Sequence, residues 1–216
     1  MADDSVHTPA QPAHGTTEML IDRYLPGFDA TIIEHVVVNA DIPTAWRALC
    51  DLDLMRVHTP LLDAAFFVRG VPIRLAGLLG RGTQHPEAPP QLKLSADSVG
   101  LEGWLQLGEQ PEREIAIGAV GRFWQPNIEW HDVATMTPEQ FGGFDEPGWG
   151  RIAANWSLRP YGTTRTLASY EARVAVPDAE SARAFGRYWR LIRPFVGHIM
   201  RATLSTLRDN AERLAR

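Results

Sequence analysis

The run YWRLIRPFVGHIMRATLSTL, residues 188–207, constrains the fold of this chain more than any other segment. From Asp178 onward apolar side chains recur at helical spacing. At about 100° per residue, Phe185, Trp189, Ile192, Val196, Ile199, Thr203 and Leu207 fall in one stripe. Arg183, Arg187, Arg190, Arg201 and Arg208 fall on the other side, together with His198 and Pro194. His198 is thereby expected away from any buried catalytic position. Pro194 removes one backbone hydrogen bond and crowds the carbonyl of Arg190, at a cost of roughly 3 kcal/mol in a helix interior. Because the missing bond lies on the polar side, the outer face can open and the helix is predicted to curve with its apolar face concave. Unbroken to Leu214, it would run roughly 50 Å. A flat sheet needs only a straight helix of half that length, so the pattern predicts a helix gripping a strongly curved sheet.

The rest of the chain supplies such a sheet. DATIIEHVVVNA, Asp29–Ala40, is a β-branched run of strand length. DIPTAWRALCDL follows, with Asp41 as N-cap, Pro43 in the first turn, and Ile42, Trp46 and Leu49 sharing a face. A second short helical stretch is expected from Thr59-Pro60 through LLDAAFFVRG, continued irregularly by VPIRLAGLLG, and a loop over Arg81–Gln91. Strict alternation then marks GLEGWLQLGEQ and EREIAIGAVGRFW as strands joined by a turn at Gln110-Pro111-Glu112. NIEWHDV reads as a shorter strand. TPEQFGGF reads as a brief helix with Thr137 as N-cap, Pro138 first and Gln140 three residues on. RIAANWSLRPY and TRTLASYEARVAV are two long strands in a hairpin at Gly162. Residues 1–18, rich in Ala, Pro, Thr and Asp, are expected to be a disordered tail before one domain over 19–216.

Composition narrows the function classes. The chain has 216 residues, 44% apolar and 22% charged, enough for one sizeable core. No apolar run approaches the ~20 residues of a membrane span, so no stable membrane insertion is expected. The N-terminus lacks the basic start and apolar stretch of a secretory signal, and Cys50 is the only cysteine, so the expected location is cytoplasmic. Net charge is −5, unevenly spread: residues 151–216 carry 12 Arg against 5 acids. These arginines follow the outer face of the C-terminal helix, and no nucleic-acid partner is expected.

Motifs for catalysis are sparse. HExxH, paired CxxC, GxxxxGK[ST] and GxSxG are all lacking, and the glycines of GLLGRG follow no strand of a βαβ unit. Glu129, His131 and Asp132 are the densest ligand-like group, but Glu129 and His131 on one strand face lack a third ligand, so no metal and no cofactor is expected. His7 and His14 sit in the tail. Acid–base candidates are Glu171, spaced to pair with Arg173, together with Arg122 and His35, with Glu34 on the opposite strand face from His35.

Strand, two short helices, antiparallel strands and one long C-terminal helix is the element order of the helix-grip fold. In VVVNADIPTAWRAL, GRFW, FDEPGWG, TRTLASYEARV and YWRLIRPFVG the sequence resembles the START-like (SRPBCC) superfamily, in a bacterial branch near the polyketide cyclases and dehydrases. The resemblance spans about Asp29 to Leu214. It implies an α+β fold, a curved antiparallel sheet wrapped around the long helix with two short helices after the first strand. It also implies an apolar cavity between sheet and helix.

The partner so implied is a hydrophobic small molecule, lipid or polyketide-like, and a homodimer is compatible with it. The ligand-binding residues expected are Trp104, Ile117, Arg122, Trp124, Trp156, Tyr170, Tyr188, Ile192, Phe195, Ile199 and Thr203, with Tyr170 and Tyr188 as polar handles. Two functions follow: a binder of that molecule, or a cyclase or dehydratase using one acid–base residue in the same cavity. No catalytic residue is assigned. A protein-interaction module using the outer sheet face is a third, more distant reading.

Overall fold

A computed structural model describes residues 18–53 and 103–216. Within them the period-two runs form one antiparallel sheet of five strands: β1 (Ala30–Val38), β2 (Trp104–Gln110), β3 (Glu114–Gly121), β4 (Gly150–Tyr161) and β5 (Arg165–Ala175). Their spatial order is β1-β5-β4-β3-β2. The turn between β2 and β3 closes by a 3.0 Å bond from Arg113 N to Gln110 O, with Glu112 at φ 59°. Gly162 turns the β4–β5 hairpin at φ 74°, a left-handed conformation that glycine adopts without a Cβ penalty. A bulge between Gln106 and Gly108 shifts the β2–β3 register and adds local twist to the curved sheet.

Four helices are described: α1 (Leu20–Tyr24), α2 (Ile42–Cys50), α3 (Pro138–Gly143) and α4 (Ala179–Leu214). Their starts follow the expected chemistry. Asp41 Oδ1 accepts from Thr44 N at 3.0 Å, and Thr137 and Gln140 complete a reciprocal capping box. Asp178 accepts from Glu180 N and Ser181 N, so α4 begins as its sequence predicts. The helix continues unbroken through Pro194 for 36 residues, about 54 Å at 1.5 Å per residue.

Two readings change. NIEWHDV forms no strand; only Trp130 bridges, to Gly121. Its backbone instead turns back along the end of β3, with Arg122 N donating to Glu129 O and His131 N to Val120 O. α1, by contrast, is an addition to the pattern read from the sequence, although Leu20, Ile21, Tyr24 and Leu25 have helical spacing; all four are buried. The second short helix near Thr59-Pro60, its continuation and the loop over Arg81–Gln91 lie outside the described residues, as does the tail up to residue 17.

The two faces of the sheet are both covered, by different elements. Ile115, Ala154, Trp156, Leu158 and Ala168 point to the inner face and pack with Ala45 and Leu49 of α2 and with Leu204, Leu207 and Ala211 of α4. Ala116, Val120 and Ala153 point to the outer face under Leu20, Ile21 and Tyr24 of α1 and Phe141 of α3. Gly118 is required there: a Cβ would stand 2.8 Å from the Phe141 ring. A third cluster closes one end, where Phe185, Tyr188 and Trp189 of α4 meet Phe123, Trp124, Trp130 and Val174. The outer face is therefore not free as an interaction surface over β3 and β4.

Candidate functional site

Cross-strand register defines what the inner face offers. Ile115, Trp156, Tyr170 and Glu34 form one row across β3, β4, β5 and β1; Ile117, Ala154, Ala172 and Ile32 form the next. Trp104, Ala119 and Ile152 form a third with Val174. Burial along these rows is uneven. Ile115, Ile117 and Ala119 of β3 and Ala154, Trp156 and Leu158 of β4 are buried, whereas Tyr170 and Ala172 of β5, Ile152 of β4, Ile32 of β1 and Trp104 of β2 are only half-buried. β5 is an interior strand, and the half-buried Ala172 on it is not fully covered by the described residues. Ala119 and Ala154 are small and buried, and Ala172 is small and half-buried.

The helix packs against the same face. α4 makes its main sheet contact with β1. At Gly197 the approach is close, because a Cβ there would lie 3.2 Å from Ile32 Cδ1 and 3.3 Å from Glu34 Oε1. Gly197, Met200, Leu204 and Leu207 form the fully buried seam. The sequence stripe meets this seam at Phe185, Thr203 and Leu207, which are buried, but its middle departs from it: Ile192, Val196 and Ile199 are half-buried and lie beside the seam around the helix surface. The cause is the glycine, which lets α4 sit down on an edge strand along a line that hydrophobicity alone does not select.

Polar groups on this face are few. The rings of Trp156 and Tyr170 lie 4.3 Å apart at 31°, and Trp156, 1% exposed, has no hydrogen-bond partner at Nε1. Burial pushes the Tyr170 phenol up, so it stays a neutral hydroxyl at physiological pH. Cys50 borders the same cluster; burial first, then the charges of Glu109 and Asp51, push its thiol up to about 11. It is a protonated, unreactive thiol at neutral pH. Glu34 is held by Arg201 Nη1 at 2.5 Å at the edge of the face.

The expected ligand-binding residues separate into groups. Trp104, Ile117, Trp156 and Tyr170 share the inner face, and Ile192 and Ile199 lie on the half-buried helix stripe. Thr203 is 1% exposed and donates to Ile199 O at 2.9 Å within its own helix. Trp124 packs edge-on to Phe185 at 6.4 Å, and Tyr188 belongs to the same end cluster. Phe195 is 40% exposed, away from the seam. Arg122 lies beyond β3: its guanidinium stacks over Trp149 at 4.4 Å, pairs with Glu129 at 2.8 Å and donates to Gly148 O. It lines a separate groove of about 410 Å³ with Trp124, Asp178 and Ser181.

The other acid–base candidates also lie off the inner face. His35 Nδ1 is 2.7 Å from Ser169 Oγ on the outer side of β1 and β5. Glu171 and Arg173 are on that same side, 2.7 Å apart, and Arg173 reaches Asp22 at 2.7 Å and the carbonyls of Ile21 and Leu25. Burial opposes the charge of Arg173, but the bonds from Glu171 and Asp22 more than offset it and hold the guanidinium ionised. This is a clamp on α1. Glu114, which sequence alternation placed in β3 without a role, is fully buried beneath α1, its Oε2 accepting from Leu20 N and from Asn155 Nδ2. Among the described residues no group of His, Cys, Asp and Glu is arranged to hold a metal ion, and no helix is long and apolar enough to cross a membrane.

No protein-family model matches the chain, and no curated protein matches it. Among solved structures it is similar to truncated norcoclaurine synthase from Thalictrum flavum, with TM-score 0.36 and 9% identity over 86% of this chain and 92% of that one. It is similar also to the Zhui aromatase/cyclase from Streptomyces sp. R1128, with TM-score 0.31 and 13% identity over 87% and 96%. A hypothetical protein from Helicobacter pylori gives TM-score 0.37 and 8% identity over 100% of both chains. On its own strand order, register and helix placement, the chain is an α+β domain of helix-grip architecture.

Proposed function

We propose that the protein binds an apolar small molecule between the middle of the inner sheet face and the Ile192–Ile199 side of α4. The observation that supports this is the partial accessibility of Tyr170 and Ala172 on β5, an interior strand, and of Ile32 beside them on β1, while the inner-face residues of β3 are buried. Removing apolar surface of this kind from water is worth about 25 cal/mol per Å². A guest filling the hollow would cover side chains that the fold leaves partly wet. Its surroundings would be alkyl and aromatic, with the Tyr170 hydroxyl as a neutral polar handle. A cyclase or dehydratase reading would need a free acid or base on this face; His35, Glu171 and Arg122 do not supply it, and Glu34, at the edge of the face, is tied to Arg201 at 2.5 Å.

Native mass spectrometry of protein purified without detergent, together with uptake of an apolar fluorescent probe, tests the reading. The wild-type chain is expected to carry a small molecule or to take up the probe. Ala172→Trp, which fills the hollow from an interior strand, should lower probe affinity by about tenfold or more with the thermal midpoint retained. No uptake by the wild type, or equal uptake by a folded Ala172→Trp variant, would overturn it.

A further inference from the structure

The solvent side of α4 is not simply polar. Arg183, Arg187, Leu191 and Phe195 follow one another at four-residue spacing and so form one crest along the helix. Leu191 is 71% exposed and Phe195 40%, the former the most exposed large apolar side chain among the described residues. Beside the crest, Arg190, Arg193 and Pro194 line a groove of about 450 Å³ with Thr31, Trp189 and Asp29. Arg183, Arg187, Arg190 and Arg193 are all exposed, and none makes an ion pair among the described residues. The carboxylate of Asp29 is engaged by Val176 N at 2.8 Å, and Glu180 is the one acid in the first turn of the helix.

From this juxtaposition of two bare apolar side chains with Arg183 and Arg187 on the crest and Arg190 and Arg193 in the flanking groove, we infer that this side of α4 docks the protein on an anionic lipid bilayer surface. The chemistry matches such a surface at two depths. Leu191 and Phe195 can enter the boundary between headgroups and acyl chains, while long arginine side chains extend to the phosphates. A second copy of this chain fits less well, because a two-fold contact through the crest would set the same four positive charges against each other. A nucleic acid would satisfy the arginines but not the exposed leucine. The inference stands apart from the ligand reading, since the crest lies on the side of α4 away from the sheet.

Flotation of the full chain with vesicles of phosphatidylcholine alone, and of phosphatidylcholine mixed with phosphatidylserine, tests it. Binding is expected only to the mixed vesicles, weakening as salt rises. Arg187→Gln/Arg190→Gln/Arg193→Gln should weaken it on the order of 100-fold, and Leu191→Ser/Phe195→Ser about tenfold or more, with unchanged circular dichroism and thermal midpoint. Failure to bind mixed vesicles would overturn the inference, as would binding indifferent to the apolar pair. So would a concentration-dependent dimer that the Leu191→Ser/Phe195→Ser variant abolishes.

Discussion

Trp156 and Tyr170 stand directly opposite each other on β4 and β5, with ring centroids 4.3 Å apart. Within one cross-strand row the pair marks the change from a buried side chain on β4 to a partly accessible one on β5: Trp156 is 1% exposed and Tyr170 half-buried. A single large indole thus serves as a floor, and its N–H, without a partner, adds nothing to the packing.

That unpaired donor makes the first prediction. A buried polar group left unsatisfied costs about 1–3 kcal/mol, so removing it offsets part of the area lost on truncation. Trp156→Phe is expected to cost less than about 2 kcal/mol, whereas Trp156→Ala should cost about 3–5 kcal/mol through the cavity it leaves. Urea unfolding of the two variants checks the order. Similar losses for both would mean that the indole N–H is satisfied in solution.

Arg173 joins β5 to α1 through Asp22, Glu171 and the carbonyls of Ile21 and Leu25, at 11% side-chain exposure. Arg173→Ala strands a largely buried carboxylate, and a loss of about 3 kcal/mol is expected. Hydrogen exchange should localise the damage, with the amides of residues 20–25 losing protection before those of β4. Probe uptake by the folded fraction should be unchanged, because the clamp lies on the opposite face of the sheet.

Asp178 carries the clearest pH signature. Hydrogen bonds from the backbone N–H of Ser181 and then of Gly148 hold its carboxyl down to about 2, below the ordinary 3.8. The group therefore contributes its stabilisation fully above about pH 3.8 and loses it as pH falls through about 2. Asp178→Asn keeps an acceptor at the N-cap but removes the titration. Between about pH 4 and pH 2 the wild type should lose more stability than this variant, read as denaturant midpoints across the range. Parallel acid limbs for the two proteins would contradict the assignment.

Pro194 is exposed and sits inside an uninterrupted helix. Pro194→Ala restores the missing donor toward Arg190 O and removes the ring clash, so stability should rise by about 1–3 kcal/mol. If the proline sets the fit of α4 to the hollow, the same variant should bind the apolar probe less well while melting higher. Calorimetry and probe titration on one sample separate the two effects.

Much of this architecture is local and was legible as pattern. Alternation in EIAIG and NWSLR fixed strands, Thr137-Pro138 and Asp178 fixed helix starts, and Gly162 fixed a hairpin, because each acts within a few residues. The two-residue spacing of Glu171 and Arg173 likewise set them on one face of β5, where they pair at 2.7 Å.

What pattern could not supply was which side faces the helix, since period two is symmetric between faces. Only the packing of α2 and α4 on Trp156, and of α1 on Glu114, decided it. For the same reason His35 and Glu171, which read as acid–base candidates along the chain, belong to the outer face and its clamp. The seam of α4 was likewise settled in three dimensions. Gly197 has no hydrophobicity to announce it, yet its missing side chain is what lets the helix settle on β1, turning Ile192 and Ile199 partly out of the core.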